Sequence, residues 1–472
     1  MDTILRNAME TGQGPKYRRL AAGLEIAIGR GELGPGDKLP PVRDLAWRLG
    51  VTPGTVARAF TVLAEAGRVV AEVGRGTFVA EPGQAGVPAA PYVPDLDAAP
   101  PLYLEAADDR EDFLSPRLPD IGQLALVREG LMRAAAAPVE KMLAYPTFAS
   151  HAALREVVRD WLPEDMRHAV ARDEVVMTNG GQNAILLVLQ ALTYHTSPVV
   201  LVEQHTYTGI RRAAENLRAR VVAVAMDEQG VRPEALEAAA REEEARIFFT
   251  MPEAHNPTTI MTSPERRAEV AEISRRLGIH VIQDDCYRLG PPAGPSYRAL
   301  APELGWYISS LSKAITPALR VGYAAAPKGM AALLRRVVDT NFYGLSRPIS
   351  DTAAHVLAHA DTPALVEAMR AHLQRYVEAA VNMLGRFNLR WGENTPFLWL
   401  ELPEGWREAG FVQALDAEGI RVRAGEEFAA RDARGRPSVR ISVNGQMSLD
   451  RFQEAMGRIA YLLDHPPERI MV

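Results

Sequence analysis

Long apolar runs are missing from this 472-residue chain, and no stretch approaches the roughly 20 residues that a helix needs to span a bilayer. The opening residues, MDTILRNAMETGQGPKYRRL, lack the basic start and apolar centre of an export signal, so a cytoplasmic protein with no membrane partner is expected. Cysteine is nearly absent too. The lone Cys286 excludes an internal disulfide and any multi-cysteine metal site, agrees with a reducing compartment, and leaves no metal expected.

What is present is the ordinary balance of a globular chain, 47% hydrophobic and 24% charged, at a length that exceeds what one core usually holds. At least two domains follow. Charge is unevenly spread: residues 12–80 carry ten Lys/Arg against six Asp/Glu, although the whole chain has a net charge of −6. A basic end on an acidic body suits a polyanion partner at that end alone. Between the two lies EPGQAGVPAAPYVPDLDAAPP, with six prolines in residues 81–101, which reads as an extended linker running to about 114. Before it come short helical patterns and a hairpin. After it, strands alternate with helices, so the body is α/β.

In the N-terminal part, Leu20, Leu24 and Ala27/Ile28 recur at helical spacing until Gly29 and Gly31 stop the pattern. PVRDLAWRLG makes a second helix with Val42, Leu45, Ala46 and Leu49 inward, ended by Gly50. Thr52 caps a third, with Pro53 in its first turn, Val56, Phe60 and Leu63 inward, and Thr55 and Arg58 outward. RVVAEVGRGTFVA alternates like two strands around Gly74-Arg75-Gly76, a hairpin whose tip is an arginine fit for a minor groove. Helix, glycine turn and helix, then a hairpin, are the parts of a winged helix-turn-helix. The words LPPVRDLA, GVTPGTVARAF and GRGTFV resemble the DNA-binding domain of the GntR family, placed at residues 12–80. The resemblance implies a double-stranded DNA operator as partner, with Arg43, Thr52, Thr55 and Arg58 facing it and Arg75 on the wing. Pro53 and Gly54 depart from the polar or basic residues of many relatives.

In the body, DEVVMTNGGQNAILLVLQAL is a strand, a polar glycine turn and an apolar helix, an arrangement that offers backbone N–H groups and the helix dipole to a phosphate. RIFFTMPEAHNPTT, a strand ending in a polar loop, GIHVIQDDCYRLG with Asp284 and Asp285 at its carboxyl end, and then Ser310, Ser312, Lys313 and Arg320 put polar groups where open α/β sheets bind ligands, beyond the carboxyl ends of strands. The constellation that matters is Asn-Pro-Thr, Asp-x-x-Tyr, and Ser-Leu-Ser-Lys with an arginine seven residues on. An amine, a ring-nitrogen partner and phosphate donors are what pyridoxal phosphate chemistry asks for. From 115 to 465, with a small C-terminal part from about 380, the chain resembles fold-type I aminotransferases, a large α/β sheet domain with a smaller α+β domain. The fusion resembles the MocR-like subgroup of GntR regulators.

That resemblance implies pyridoxal 5'-phosphate as cofactor, Lys313 as the Schiff-base lysine and Asp284 as partner of the pyridine nitrogen. Tyr287 and Asn256 then bond the ring hydroxyl, Gly181, Gln182, Ser310 and Arg320 hold the phosphate, and Tyr207 stacks on the ring. Tyr145 matches a tyrosine that in relatives reaches the neighbouring subunit's phosphate, which implies a homodimer with shared sites. Arg440 matches the arginine that grips a substrate carboxylate, with a fork of the right shape. His205, Thr259 and Ser150 depart from the pattern, standing for a proline and two glycines. Cys286 reads as a small core filler. The function implied is a DNA-binding transcription regulator sensing an amine or amino-acid effector through its aminotransferase-like domain. The alternatives are a working aminotransferase, moving an amino group between an amino acid and a 2-oxo acid, and a sensor of pyridoxal phosphate itself.

Overall fold

The computed structural model describes residues 2–11, 15–72, 76–80, 110–193, 198–430 and 435–466. The chain divides into two compact units, Met1–Pro100 and Pro101–Val472. Among the described residues no helix is long and apolar enough to cross a membrane.

The first unit holds helices α1 (Asp2–Thr11), α2 (Lys16–Gly29), α3 (Val42–Leu49) and α4 (Pro53–Glu65), then an antiparallel hairpin of β1 (Val69–Glu72) and β2 (Gly76–Val79). Its punctuation is chemical. Gly50 ends α3 at φ 64, in the left-handed region, and the Thr52 hydroxyl accepts the Thr55 N–H at the start of α4. The core closes on Leu20, Leu24, Leu45, Val56, Phe60 and Leu63, joined by Val69 and Val79 of the hairpin. Val42 and Leu49, expected inward, are only half-buried, because α3 is a short helix whose end residues lie at the rim of the core. The unit also starts earlier than the expected residue 12. Leu5 of α1 is fully buried, and Gly23 lets α1 approach α2 so closely that a Cβ there would stand 2.9 Å from the Ala8 Cβ.

The second unit is built on a seven-stranded sheet of β3 (Val175–Thr178), β4 (Val199–Glu203), β5 (Arg220–Val224), β6 (Ile247–Thr250), β7 (His280–Asp284), β8 (Gly305–Ser310) and β9 (Gly322–Ala325). Their order is β3-β9-β8-β7-β6-β4-β5, and only β9 runs against its neighbours. Strands β3, β6, β8 and β9 are buried at every residue, as a sheet covered on both faces requires. Helix α5 (Gly181–Thr193) covers one face, its Ile185 and Val188 packing with Val176, Val200 and Ile308. The ends of β3, β7 and β8 therefore open on one side of the sheet.

A smaller antiparallel sheet of β10 (Leu389–Arg390), β11 (Phe397–Glu401), β12 (Arg423–Ala424) and β13 (Ser438–Ser442) has the order β10-β11-β13-β12. Helices α6 (Thr362–Leu384) and α7 (Leu449–Asp464) share its core through Met369, Leu373, Phe452 and Ile459, packed with Leu398, Leu400 and Ile441. The small part thus begins well before the expected 380, since Met369 and Leu373 already face this core. The expected linker also ends before 114. Glu111–Asp112 pairs in parallel with Ile420–Arg421, and Phe113 is fully buried in the same core, an apolar side chain that proline-rich extension could not shelter.

Candidate functional site

The turn from β3 into α5 depends on two glycines. Gly180 adopts φ +83, and a Cβ on Gly181 would stand 2.3 Å from the Cys286 Sγ. The first N–H groups of α5 are thereby brought up against the ends of β7 and β8, a seat for an anion. Beside them opens a cavity of about 860 Å³. Gly181, Gln182, Tyr207, Asp284 and Tyr287 line it, and so do Ser310, Lys313, Arg320 and Arg440, residues scattered over 260 positions of sequence.

Lys313 lies half-buried beyond the end of β8, its Nζ 3.3 Å from the Pro116 carbonyl and 3.5 Å from the Ser115 Oγ. Burial first, then the positive charge of Arg440, pulls its ammonium down to about 8, so free amine is present near neutral pH. Asp284 is buried and accepts the Cys286 N–H at 2.9 Å. Burial pushes its carboxyl above the usual range, and among the described residues it has no ion-pair partner. The Cys286 thiol, raised well above its ordinary value by burial and by Asp284, stays protonated; it packs against the core of the large sheet and also lines the cavity.

Arg440, on β13, is 3% exposed. Its Nη1 donates to the Asn256 Oδ1 at 2.6 Å and its Nη2 to the Leu114 carbonyl at 2.5 Å, while the rings of Phe397 and Phe428 flank it at 5.4 and 4.8 Å. No carboxylate pairs with it among the described residues, and burial lowers its guanidinium to about 10. A buried cation held by neutral acceptors and aromatic faces is left to be completed by an anion. Asn256 is fully buried against Arg440, and among the described residues its Nδ2 has no partner. Gln182 donates to the Gly209 carbonyl at 2.9 Å, and its Oε1 is likewise unpartnered. Only glycine fits at 209, where a Cβ would stand 2.0 Å from that Oε1 and 2.3 Å from the Tyr207 ring. The Tyr207 and Tyr287 phenols are both pushed up by burial and remain protonated donors. Arg320 is exposed, sits at φ 50 and reaches the Asn179 carbonyl at 3.4 Å.

An amine near neutrality, an acid without a cation, orphaned buried amide atoms and an anion seat match in kind the groups of a pyridine aldehyde bearing a phosphate. Tyr145 stands apart from them, 78% exposed, its ring 5.2 Å from that of Tyr343. Of the departing residues, Thr259 sits at φ +63, a left-handed conformation that strains a β-branched side chain. His205, its ring 5.7 Å from Trp399, is held neutral by burial, at about 4. Ser150 hydrogen-bonds back to Thr147.

Sequence reading missed several groups in the cavity wall, Arg423 and Leu114 among them. Arg423 sits on a two-residue strand too short to show a period, and Leu114 falls inside the stretch read as linker.

On the first unit, Arg43, Thr52 and Arg58 are exposed and Thr55 is half-buried, its hydroxyl 2.9 Å from that of Thr52. The Arg58 guanidinium lies 4.4 Å over the Tyr17 ring, which fixes its direction. Arg75 lies outside the described residues. Trp47, one turn beyond Arg43 on α3 and 86% exposed, was not anticipated.

Residues 123–459 match the aminotransferase class I and II family, and residues 16–79 match the bacterial regulatory proteins of the gntR family. The chain is 28% identical over 464 residues to an uncharacterized HTH-type transcriptional regulator of Bacillus subtilis, YdeF, covering 97% of this chain and 96% of that one. It is 28% identical over 441 residues to a second, YdcR of Escherichia coli, covering 88% and 92%. Among solved structures, LysN, the α-aminoadipate aminotransferase of Thermus thermophilus, superposes with a TM-score of 0.66 at 24% identity, over 76% of this chain and 92% of that one, a likeness of fold.

Proposed function

The chain belongs to the class I and II aminotransferase family, with a GntR-type helix-turn-helix ahead of that domain, and on this premise we propose that its cavity reads an amine for the DNA-binding unit. It is an HTH-type transcriptional regulator of the MocR layout. Pyridoxal phosphate, when bound, supplies an electron-poor ring and an aldehyde that condenses with amines. Lys313 is the residue that holds it, because its depressed basicity leaves free amine available. Asp284 keeps the ring nitrogen's proton, a role for a buried acid that has no cation partner among the described residues. Tyr287 and the orphaned Asn256 amide donate to the ring hydroxyl, while Gly181, Gln182, Ser310 and Arg320 hold the phosphate. Tyr207 packs on the ring. Tyr145, outside the cavity of its own chain, serves a second copy, so the working state is a homodimer.

The observation that carries the reading is Arg440, a buried guanidinium in the same cavity as Lys313 that has no acid partner among the described residues. It docks the acid group of an amino compound and sets the amine beside Nζ. Only a ligand that prefers one of two arrangements of the protein can signal to the DNA-binding unit. There, Arg43, Thr52, Thr55 and Arg58, with Arg75 on the wing, meet operator DNA in the cytoplasm. The test titrates amino compounds into the cofactor-loaded full chain and follows the visible absorption band and operator affinity in the same samples. One class of compound is expected to move both, and to move neither in Lys313→Ala. A band that moves while operator affinity stays fixed contradicts the sensor.

One observation favours a second reading, a slow aminotransferase: a lysine that titrates near 8 is placed to carry a proton to and from a bound amine. Steady formation of a 2-oxo acid, without DNA binding, decides for it.

A further inference from the structure

We propose that Arg423 is a second acid-recognising group of the cavity, that the effector is an amino compound with two acidic groups, and that Glu427 occupies Arg423 until such a compound arrives. The inference rests on the reading above and narrows it. Arg423 on β12 is the direct cross-strand partner of Arg440 on β13. Opposed residues of an antiparallel pair put their side chains on one face with Cβ atoms about 5 Å apart. Both arginines line the cavity, and both are buried, at 9% and 3% exposure. The Leu114 carbonyl ties their heads together, accepting from the Arg423 Nε at 3.2 Å and from the Arg440 Nη2 at 2.5 Å.

Two guanidiniums so close, away from water, repel one another, and Arg423 is among the causes that lower Arg440. Among the described residues a carboxylate touches one of them, Arg423, and none touches Arg440. Glu427 Oε2 stands 2.6 Å from the Arg423 Nη1, and its other oxygen accepts the Ala424 N–H at 3.1 Å. Glu427 ends the single 3-10 turn Gly425–Glu427, and its side chain is 28% exposed against 11% for Arg423. The carboxylate therefore approaches from the solvent side and can leave without unpacking a core. Its presence shows that Arg423 has the room and direction to bind a carboxylate. A one-acid ligand satisfies Arg440 and leaves Glu427 in place. A two-acid ligand satisfies both arginines and releases Glu427 to water.

The test uses the cofactor-loaded full chain with L-aspartate, L-glutamate and L-2-aminoadipate, each against its side-chain amide, read by the visible band and by calorimetric titration. At least one acid is expected to bind about 10-fold more tightly than its amide, the scale of one charge-assisted pair. Arg423→Gln brings that ratio to about one, and Arg423→Lys restores part of it. Glu427→Gln, which removes the competitor, raises the ratio severalfold. Should Arg423→Gln fail to fold, the wild-type ratios and Glu427→Gln still decide. Amides that bind as well as all three acids overturn the two-acid effector and leave the sensor reading standing. A Glu427→Gln chain that binds the acid more weakly makes Glu427 a support for Arg423 and overturns the competition. If no amino compound moves the band or gives heat, both readings fall.

Discussion

The two units carry their functional side chains in opposite ways. In the N-terminal unit Arg43, Thr52 and Arg58 stand on the outside of a finished apolar core, which Leu20, Leu45, Val56 and Phe60 close without them. In the large unit Asp284 and Arg440 are buried, with Lys313 half-buried beside them, and the environment moves the proton affinity of all three from its ordinary value. A surface reader is made of residues whose removal leaves the apolar core closed. A cavity reader is made of residues whose energetics belong to the fold, so the same substitution means different things in the two places.

The widest separation is expected at Arg440. Arg440→Gln should weaken a carboxylate-bearing amine by about 100-fold, the loss of a buried charge-assisted fork, and barely affect an amine without an acid group, as calorimetric titration of the loaded chain would read. If both amines weaken equally, Arg440 supports the cavity instead of the ligand. On the outer surface, Arg43→Ala should lower affinity for all DNA sequences alike and reduce the slope of log affinity against log salt by about one, with cofactor uptake untouched. A changed uptake would break the separation of the units.

A pH profile sharpens the comparison from the other side. Lys313 is lowered from 10.5 to about 8 in the fold, so cofactor uptake by the apo chain should rise with pH and level off above about 8, in stopped-flow absorbance. An ordinary lysine would keep gaining toward 10.4. Because the unfolded chain binds the extra proton between those values, stability of the apo form should also rise with pH across that window. A midpoint near 10 would mean that the amine is not desolvated. The smallest effect is expected from Thr52→Ala, which removes the cap on α4 and should cost about 1 kcal/mol in the thermal transition of the N-terminal unit, by calorimetry of the full chain.

Both units were legible in the sequence for the same reason: each rests on local signals. Thr52-Pro53, Gly50 and the inward Val56 and Phe60 announce their helices, and the glycine turn before Gln182 announces an anion seat. What stayed hidden depends on contacts far apart in the chain. Helix α1 is ten residues long and carries only Ile4, Leu5, Ala8 and Met9, too short a pattern to declare a face until Gly23 of α2 is brought against it. Leu114 falls in a stretch dominated by proline, and nothing near it signals that its carbonyl meets arginines more than 300 positions away. Nothing local marks Arg423; only its register opposite Arg440 turns it into the cavity. Asn256 was read as touching the ligand from a motif, and its bond to Arg440, made through Oδ1 while Nδ2 is left over, could not be read from that motif.

The most direct measurement is to load the full chain with pyridoxal phosphate, reduce with borohydride and map the modified peptide by mass spectrometry. The account predicts a single adduct, on Lys313, which an amine able to bind the cavity suppresses. An adduct spread over surface lysines, or none at all, would contradict it.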